Sequence, residues 1–171
     1  VLELHPSAAG VRERLGGVPG LAIGIVWGGN PKRHNDRNRS CPLRTLAPLL
    51  EVGGHRWFSL QVGPRGRELA DLADPRLADL GGELRTYADT AAAVSALDLV
   101  ISVDTSVVHL AGALGRPAWL LLPHAPDWRW LLGRADSPWY PSLRLFRQPK
   151  AGDWQAVVAE VRSALLGISR P

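Results

Sequence analysis

Two stretches of the sequence hold residue types that can do chemistry at close quarters. The first is Asp104-Thr105-Ser106 followed by His109, a carboxylate, two hydroxyls and an imidazole. On a helix beginning here, Thr105 and His109 lie one turn apart on one side. The second is Asn30-Pro-Lys-Arg-His-Asn-Asp-Arg-Asn-Arg-Ser40, which sets Lys32, Arg33, Arg37 and Arg39 against the lone Asp36. Helix N-termini attract anions, guanidinium forks match phosphate oxygens, and paired glycines such as Gly28-Gly29 just ahead let backbone N–H groups approach a ligand. Each stretch also has a plainer reading: Asp104 or Thr105 merely caps a helix over a half-buried His109, and the basic loop is a solvated surface. The residue types leave both open. Neither stretch has the spacing of a Walker loop or a dinucleotide fingerprint.

The elements that must position these residues follow from apolar patterning. Leu99–Val103 and Trp119–Leu122 are short apolar runs of the kind buried on both faces of a parallel sheet. Between them lies one helix, stopped by Gly115 and Pro117, so the stretch reads as a β-α-β unit with Asp104 at the carboxyl end of its first strand. Ligands of open parallel sheets bind at that end. Leu21–Trp27 reads as a strand ending on Gly28-Gly29, and Leu43–Glu51 as a helix capped by Ser40 or Cys41 that Pro48 must kink or split. Trp57–Gln61 reads as a strand that places Gln61 where a nucleotide base can be met. The stretch 71–82 resists placement; Leu84–Tyr87 reads as a short strand, and Asp89 caps an alanine-rich helix through Leu97. Asp127 caps a short helix carrying Trp128 and Trp130, Leu143–Phe146 is a last strand, and Asp153 caps a final helix with the stripe Trp154, Val157, Val158, Val161 and Leu165. Five or six strands alternating with helices predict an α/β fold, a doubly wound, parallel, Rossmann-like sheet.

Composition narrows the class. At 171 residues, 46% hydrophobic and 21% charged, the chain has an ordinary globular makeup with room for one good core. Its single cysteine, Cys41, excludes a disulfide framework and a cysteine-rich zinc site, and points to a reducing, cytoplasmic compartment. The longest apolar stretch is interrupted by Asp98 and Asp104, so no transmembrane segment is expected, and the start lacks a signal-peptide pattern. Without a methionine, the sequence reads as part of a longer protein. Residues 1–20, with an amphipathic piece over Ala8–Leu15, are expected to be a linker helix from a preceding region, and 21–171 the domain itself. Most of the net charge of +4 lies in the 30–40 loop.

Four motifs in order resemble the carboxyl half of heptosyltransferase-like family 9 glycosyltransferases: Gly24–Lys32 (GIVWGGNPK), Asn35–Ser40 (NDRNRS), Ser102–Pro117 (SVDTSVVHLAGALGRP) and Pro126–Leu131 (PDWRWL). The likeness extends over nearly all of the chain from Leu21 and is nearest to bacterial members preceded by tetratricopeptide repeats. It implies one half of a GT-B enzyme, the half that binds a nucleotide-diphospho-sugar. It also implies that Asn30, Lys32, Asp104, Thr105, Ser106 and His109 lie at the diphosphate, with Lys32, Arg37, Arg39 and the helix N-terminus stabilising the departing charge without metal or other cofactor. Gln61, Asp127 and Trp128 fall in the vicinity of nucleotide and sugar. The implied chemistry is inverting transfer, with the general base supplied by an amino-terminal acceptor domain outside this sequence.

Other classes remain in view. The chain alone can be a non-catalytic nucleotide- or protein-binding module derived from such a transferase. Nucleic-acid binding through the basic loop lacks an aromatic stacking platform on a sheet face. A hydrolase or a nicotinamide-dependent reductase lacks its nucleophile elbow or glycine fingerprint.

Overall fold

The computed structural model describes residues 20–168, so the helix expected over Ala8–Leu15 lies outside the described residues. Six strands form one sheet: β1 (Ala22–Val26), β2 (Arg56–Ser59), β3 (Leu77–Asp79), β4 (Leu99–Val103), β5 (Ala118–Leu122) and β6 (Leu143–Arg147). Their order is β3-β2-β1-β4-β5-β6 and every adjacent pair is parallel. Every residue of β1, β4 and β5 is buried, because helices cover both faces and leave no solvent side on which polar residues would alternate.

The side chains of β1 divide the core in two. Ile23 and Ile25 face a cluster with helices α2 (Leu43–Leu50) and α6 (Trp154–Leu166), whereas Ala22 and Val26 face one with α4 (Tyr87–Ala96) and α5 (Ser106–Ala113). Two short α-helices, α1 (Asp36–Arg39) and α3 (Glu68–Leu72), also occur among the described residues. The α6 stripe of Trp154, Val157, Val158, Val161 and Leu165 is buried as its spacing predicts, at about 1.5–3 kcal/mol for each large side chain. Asp153 caps that helix by accepting from the Ala156 N–H at 3.1 Å. Gly115, at φ 64°, ends α5 in a Schellman turn: its N–H reaches the Gly112 carbonyl and that of Arg116 the Ala111 carbonyl.

Several expectations need correction. Helix α2 runs unbroken through Pro48, whose missing N–H would have faced the carbonyl of exposed Arg44, where water can serve it. Neither Ser40 nor Cys41 caps α2; Pro42 occupies the cap position and the Leu43 N–H is taken by Glu68 Oε2 at 2.8 Å. No strand forms over 84–87. The edge strand is β3, in the stretch left unplaced, and three residues of which only Leu77 is buried carry no readable period. Helix α4 is capped by Thr86, with Asp89 three residues on returning the bond in a capping box. No helix among the described residues is long and apolar enough to cross a membrane.

Candidate functional site

Strands β1 and β4 are neighbours, but the helices that follow them leave toward opposite faces of the sheet. This is the point in a doubly wound sheet where a crevice opens at the carboxyl edge. The 28–40 loop after β1 and the 104–105 turn after β4 therefore end side by side. These are the two stretches singled out by residue type.

The β1 loop is built around Asp36, a carboxylate only 2% exposed. It accepts from Arg65 Nη2 at 2.6 Å and from Ser40 Oγ at 3.0 Å, and Arg39 Nε lies 3.5 Å away. Burial pushes this carboxyl up, but Arg65, Ser40 and Arg39 outweigh it and hold it below the ordinary aspartate value. Ser40 Oγ also accepts from the Gly29 N–H at 3.1 Å. A side chain at Gly29 would meet Asp36 Oδ1 at 2.5 Å and Arg39 Nη2 at 2.6 Å, and one at Gly28 would collide with the Arg65 stem. The glycine pair thus lets the loop's own arginines close on the backbone. Asn30 and Lys32 sit in an exposed turn where Asn30 Oδ1 accepts from the Lys32 N–H, and Arg37 is exposed.

Gln61 has a different job from the one its position suggests. Its Oε1 accepts from the N–H groups of Trp27 and Gly28, and its Nε2 donates to the carbonyls of Gly28 and Val62. No donor or acceptor of the amide is left for a base.

At the β4 turn Asp104 is 7% exposed, with His109 Nε2 at 3.7 Å. Burial again raises the carboxyl, and His109, Trp130 and the charge of Arg39 outweigh it and lower it. Trp130 is fully buried; its indole N–H meets no acceptor in hydrogen-bond geometry and acts on Asp104 as a nearby dipole. Thr105 occupies the cap position of α5, yet its hydroxyl turns to Ser102 Oγ at 3.1 Å and makes no cap bond. Helix α5 therefore begins without a side-chain cap and with Ser106 exposed.

The α5 side expected to face ligand is covered beyond its first turn. His109 stacks on Trp130 at 5.1 Å, its Nδ1 lies 3.2 Å from the Tyr140 hydroxyl, and the Tyr140 ring packs onto Gly112. What remains open is the helix start, with Asp104, Thr105 and Ser106. Asp127 caps the 128–130 turn by accepting from the Arg129 N–H and pairs with the Arg129 side chain at 3.2 Å. Trp128 stands 70% exposed. Sequence reading missed Arg65, Trp130 and Tyr140 as parts of the site, since each reaches it from a distant segment.

A cleft of about 730 Å³ opens on the α2 and α6 side, lined by Arg37, Asn38, Ser40, Arg65, His124 and Gln148 among others. Asp104, Thr105 and His109 do not line it. His124 is fixed there by its Nδ1, 3.3 Å from the Gln148 carbonyl oxygen, and by its N–H, which donates to Gln148 Oε1. Arg39 links the two regions electrostatically: its Nε lies 3.5 Å from Asp36 Oδ1, and its charge helps lower the Asp104 carboxyl.

No protein-family model matches the chain. Among curated proteins it is 32% identical to protein FlbA of Caulobacter vibrioides over 161 residues, which is 90% of this chain and 26% of FlbA. Among solved structures it resembles ADP-heptose lipopolysaccharide heptosyltransferase II of Escherichia coli, with TM-score 0.65 and 18% identity, covering 96% of this chain and 53% of that one. It also resembles a family 9 glycosyltransferase from Veillonella parvula, with TM-score 0.62 and 14% identity, covering 95% of this chain and 51% of that one. The chain thus spans about a quarter of FlbA and about half of these enzymes. Its six-stranded parallel sheet is the Rossmann-like fold of GT-B glycosyltransferases, over half of such a molecule.

Proposed function

We propose that this chain is the donor-binding half of an inverting, metal-independent glycosyltransferase of the heptosyltransferase-like type. The observation that carries this reading is the uncapped start of α5 at the sheet's switch point, beside a loop with four cationic side chains. In this reading the diphosphate of a nucleotide sugar rests on the N–H groups of the first turn of α5, with the Thr105 and Ser106 hydroxyls beside it. Arg37, Arg39 and Lys32 answer its charge. When the acceptor hydroxyl displaces the nucleoside diphosphate at the anomeric carbon, the added negative charge meets preset dipoles and guanidinium groups, the role a metal plays elsewhere.

The reaction also needs a base to take the acceptor's proton. Asp36 is engaged by Arg65, Asp104 lies against His109, and Asp127 is held by Arg129, so the reading assigns the base to the other half of the enzyme.

The test is a thermal-shift panel with the diphosphates of adenosine, uridine, guanosine and thymidine, each free and sugar-linked. A ligand at about a hundredfold its Kd adds roughly 2.7 kcal/mol, several degrees for a domain of this size. A shift with one base, lost in Asp104→Ala and Arg37→Ala, supports the reading; no shift in the folded chain or in the full-length protein overturns it.

A further inference from the structure

The anion-binding loop contains its own antagonist. Asp36 lies four residues before Ser40 in the middle of the cationic stretch, buried, and its nearest loop cation is Arg39 at 3.5 Å. A carboxylate so placed would draw Arg39 onto itself and remove it from any ligand at the β4 turn. The shorter contact, however, belongs to Arg65, which arrives from the connection after β2 and donates to Asp36 Oδ2 at 2.6 Å. Ser40 Oγ donates to the other oxygen, Oδ1. Arg39 makes no hydrogen bond of its own to the carboxylate: its Nε–H is buried and finds no acceptor in hydrogen-bond geometry among the described residues. Meanwhile a side chain at Gly28 would strike the Arg65 stem, so the backbone at the end of β1 leaves room for this guanidinium to cross.

The geometry points to Arg65 as a positioning residue: by neutralising Asp36 from outside the loop, it keeps the Arg39 guanidinium available to a phosphate-bearing ligand, although Arg65 itself also lines the neighbouring cleft. This rests on the diphosphate reading above. It goes beyond it in assigning a residue outside both motifs to control of affinity. Arg65 is anchored for the task by a second contact, Nη1 to Glu68 Oε1 at 3.5 Å, while Glu68 Oε2 holds the first N–H of α2. Loop charge and helix start are thereby tied to one guanidinium.

The consequence is a pattern of affinities that a scaffold role cannot mimic. Titration of the chain with ADP, UDP and inorganic pyrophosphate is followed by calorimetry for the wild type, Arg65→Gln, Asp36→Asn and the double variant. Arg65→Gln should weaken binding about tenfold, the scale of one charge-assisted hydrogen bond, because Asp36 then captures Arg39. Adding Asp36→Asn to Arg65→Gln should restore affinity to within about threefold, since no carboxylate is left to compete. A double variant that binds as weakly as Arg65→Gln or worse overturns the proposal and leaves Arg65 a brace. If Arg65→Gln does not fold, Arg65→Lys replaces it, retaining the charge and with it most of the affinity.

If none of the three anions binds the wild type, either as this chain or in the full-length protein, the diphosphate reading fails, and a ligand-free measurement still decides the proposal. In nitrogen-15 spectra of the arginine side chains, the Arg39 Nε–H signal should shift and become protected in Arg65→Gln. It should return to its wild-type position in the double variant. An Arg39 signal indifferent to Arg65 would overturn the inference.

Discussion

The loop after β1 and the turn after β4 follow neighbouring strands, but they are held in place by different forces. The β1 loop is fastened by charge, through Arg65 and Ser40 on a buried carboxylate, with a glycine pair making room. The β4 turn is fastened by shape: Trp130 and Tyr140 close on His109, and His109 in turn lies against Asp104. An ion pair depends on pH, whereas ring packing does not. The β1 loop should therefore respond chiefly to loss of charge and the β4 turn chiefly to loss of volume.

The largest effect tests the volume side. Trp130→Ala empties a fully buried site and should cost about 3–5 kcal/mol, or on the order of 10 °C in Tm, measured by denaturant and thermal unfolding. A loss under about 1 kcal/mol would dissolve the contrast. Next comes Gly112→Ala, where two effects oppose. Alanine gains about 1 kcal/mol in helix propensity, but its methyl would enter the Tyr140 ring, and overpacking of this kind costs about 1–3 kcal/mol. The expected outcome is a net loss near 1 kcal/mol, with a gain instead showing that Tyr140 swings away freely.

A smaller effect compares helix starts. Thr86→Ala breaks a complete capping box and should cost about 1 kcal/mol with or without ligand. Thr105→Ala removes no cap bond, so its cost in the free chain should be less, and its larger effect should be on diphosphate affinity. Equal stability losses and unchanged affinity would show that the two starts are alike.

The smallest effect concerns pH. Asp36 and Asp104 are both held below the ordinary aspartate value when folded. The unfolded chain then binds protons first as pH falls, so their contribution is complete above the unfolded value of about 3.9 and is lost as pH drops through the folded values. Unfolding free energy should fall on acidification below about pH 4. Asp36→Asn should make that fall shallower, and an unchanged slope would show that Asp36 is not held by charge.

Much of the fold was legible because β1, β4 and β5 are continuous apolar runs and α6 carries a clean stripe. The elements that escaped notice are those fixed by partners far along the chain. β3 is a strand only because Trp57 and Phe58 pair with it, and α2 needs no local cap because Glu68 reaches its first N–H. For the candidate site, Asp104, Thr105 and the basic loop stood out as residue types at an element's end, which is what the sequence alone can offer. Arg65 reaches Asp36 across 29 positions and Tyr140 reaches His109 across 31, distances at which spacing carries no signal. Gln61 shows the reverse: a polar residue at a strand end suggests a ligand, yet its amide serves only the chain.

That amide also makes the end of β1 sensitive to the identity of a single atom. Gln61 donates through Nε2 to two backbone carbonyls and accepts through Oε1 from two backbone N–H groups, so both ends of one planar group are in use. Hydrolysis of the amide to a carboxylate would change the chain by about one mass unit and almost nothing in shape. It would nonetheless turn both carbonyl contacts from attraction to repulsion and place a negative charge beneath Gly28. Such a change at this one atom would loosen the end of β1 while every bond of the sheet ladder stayed intact.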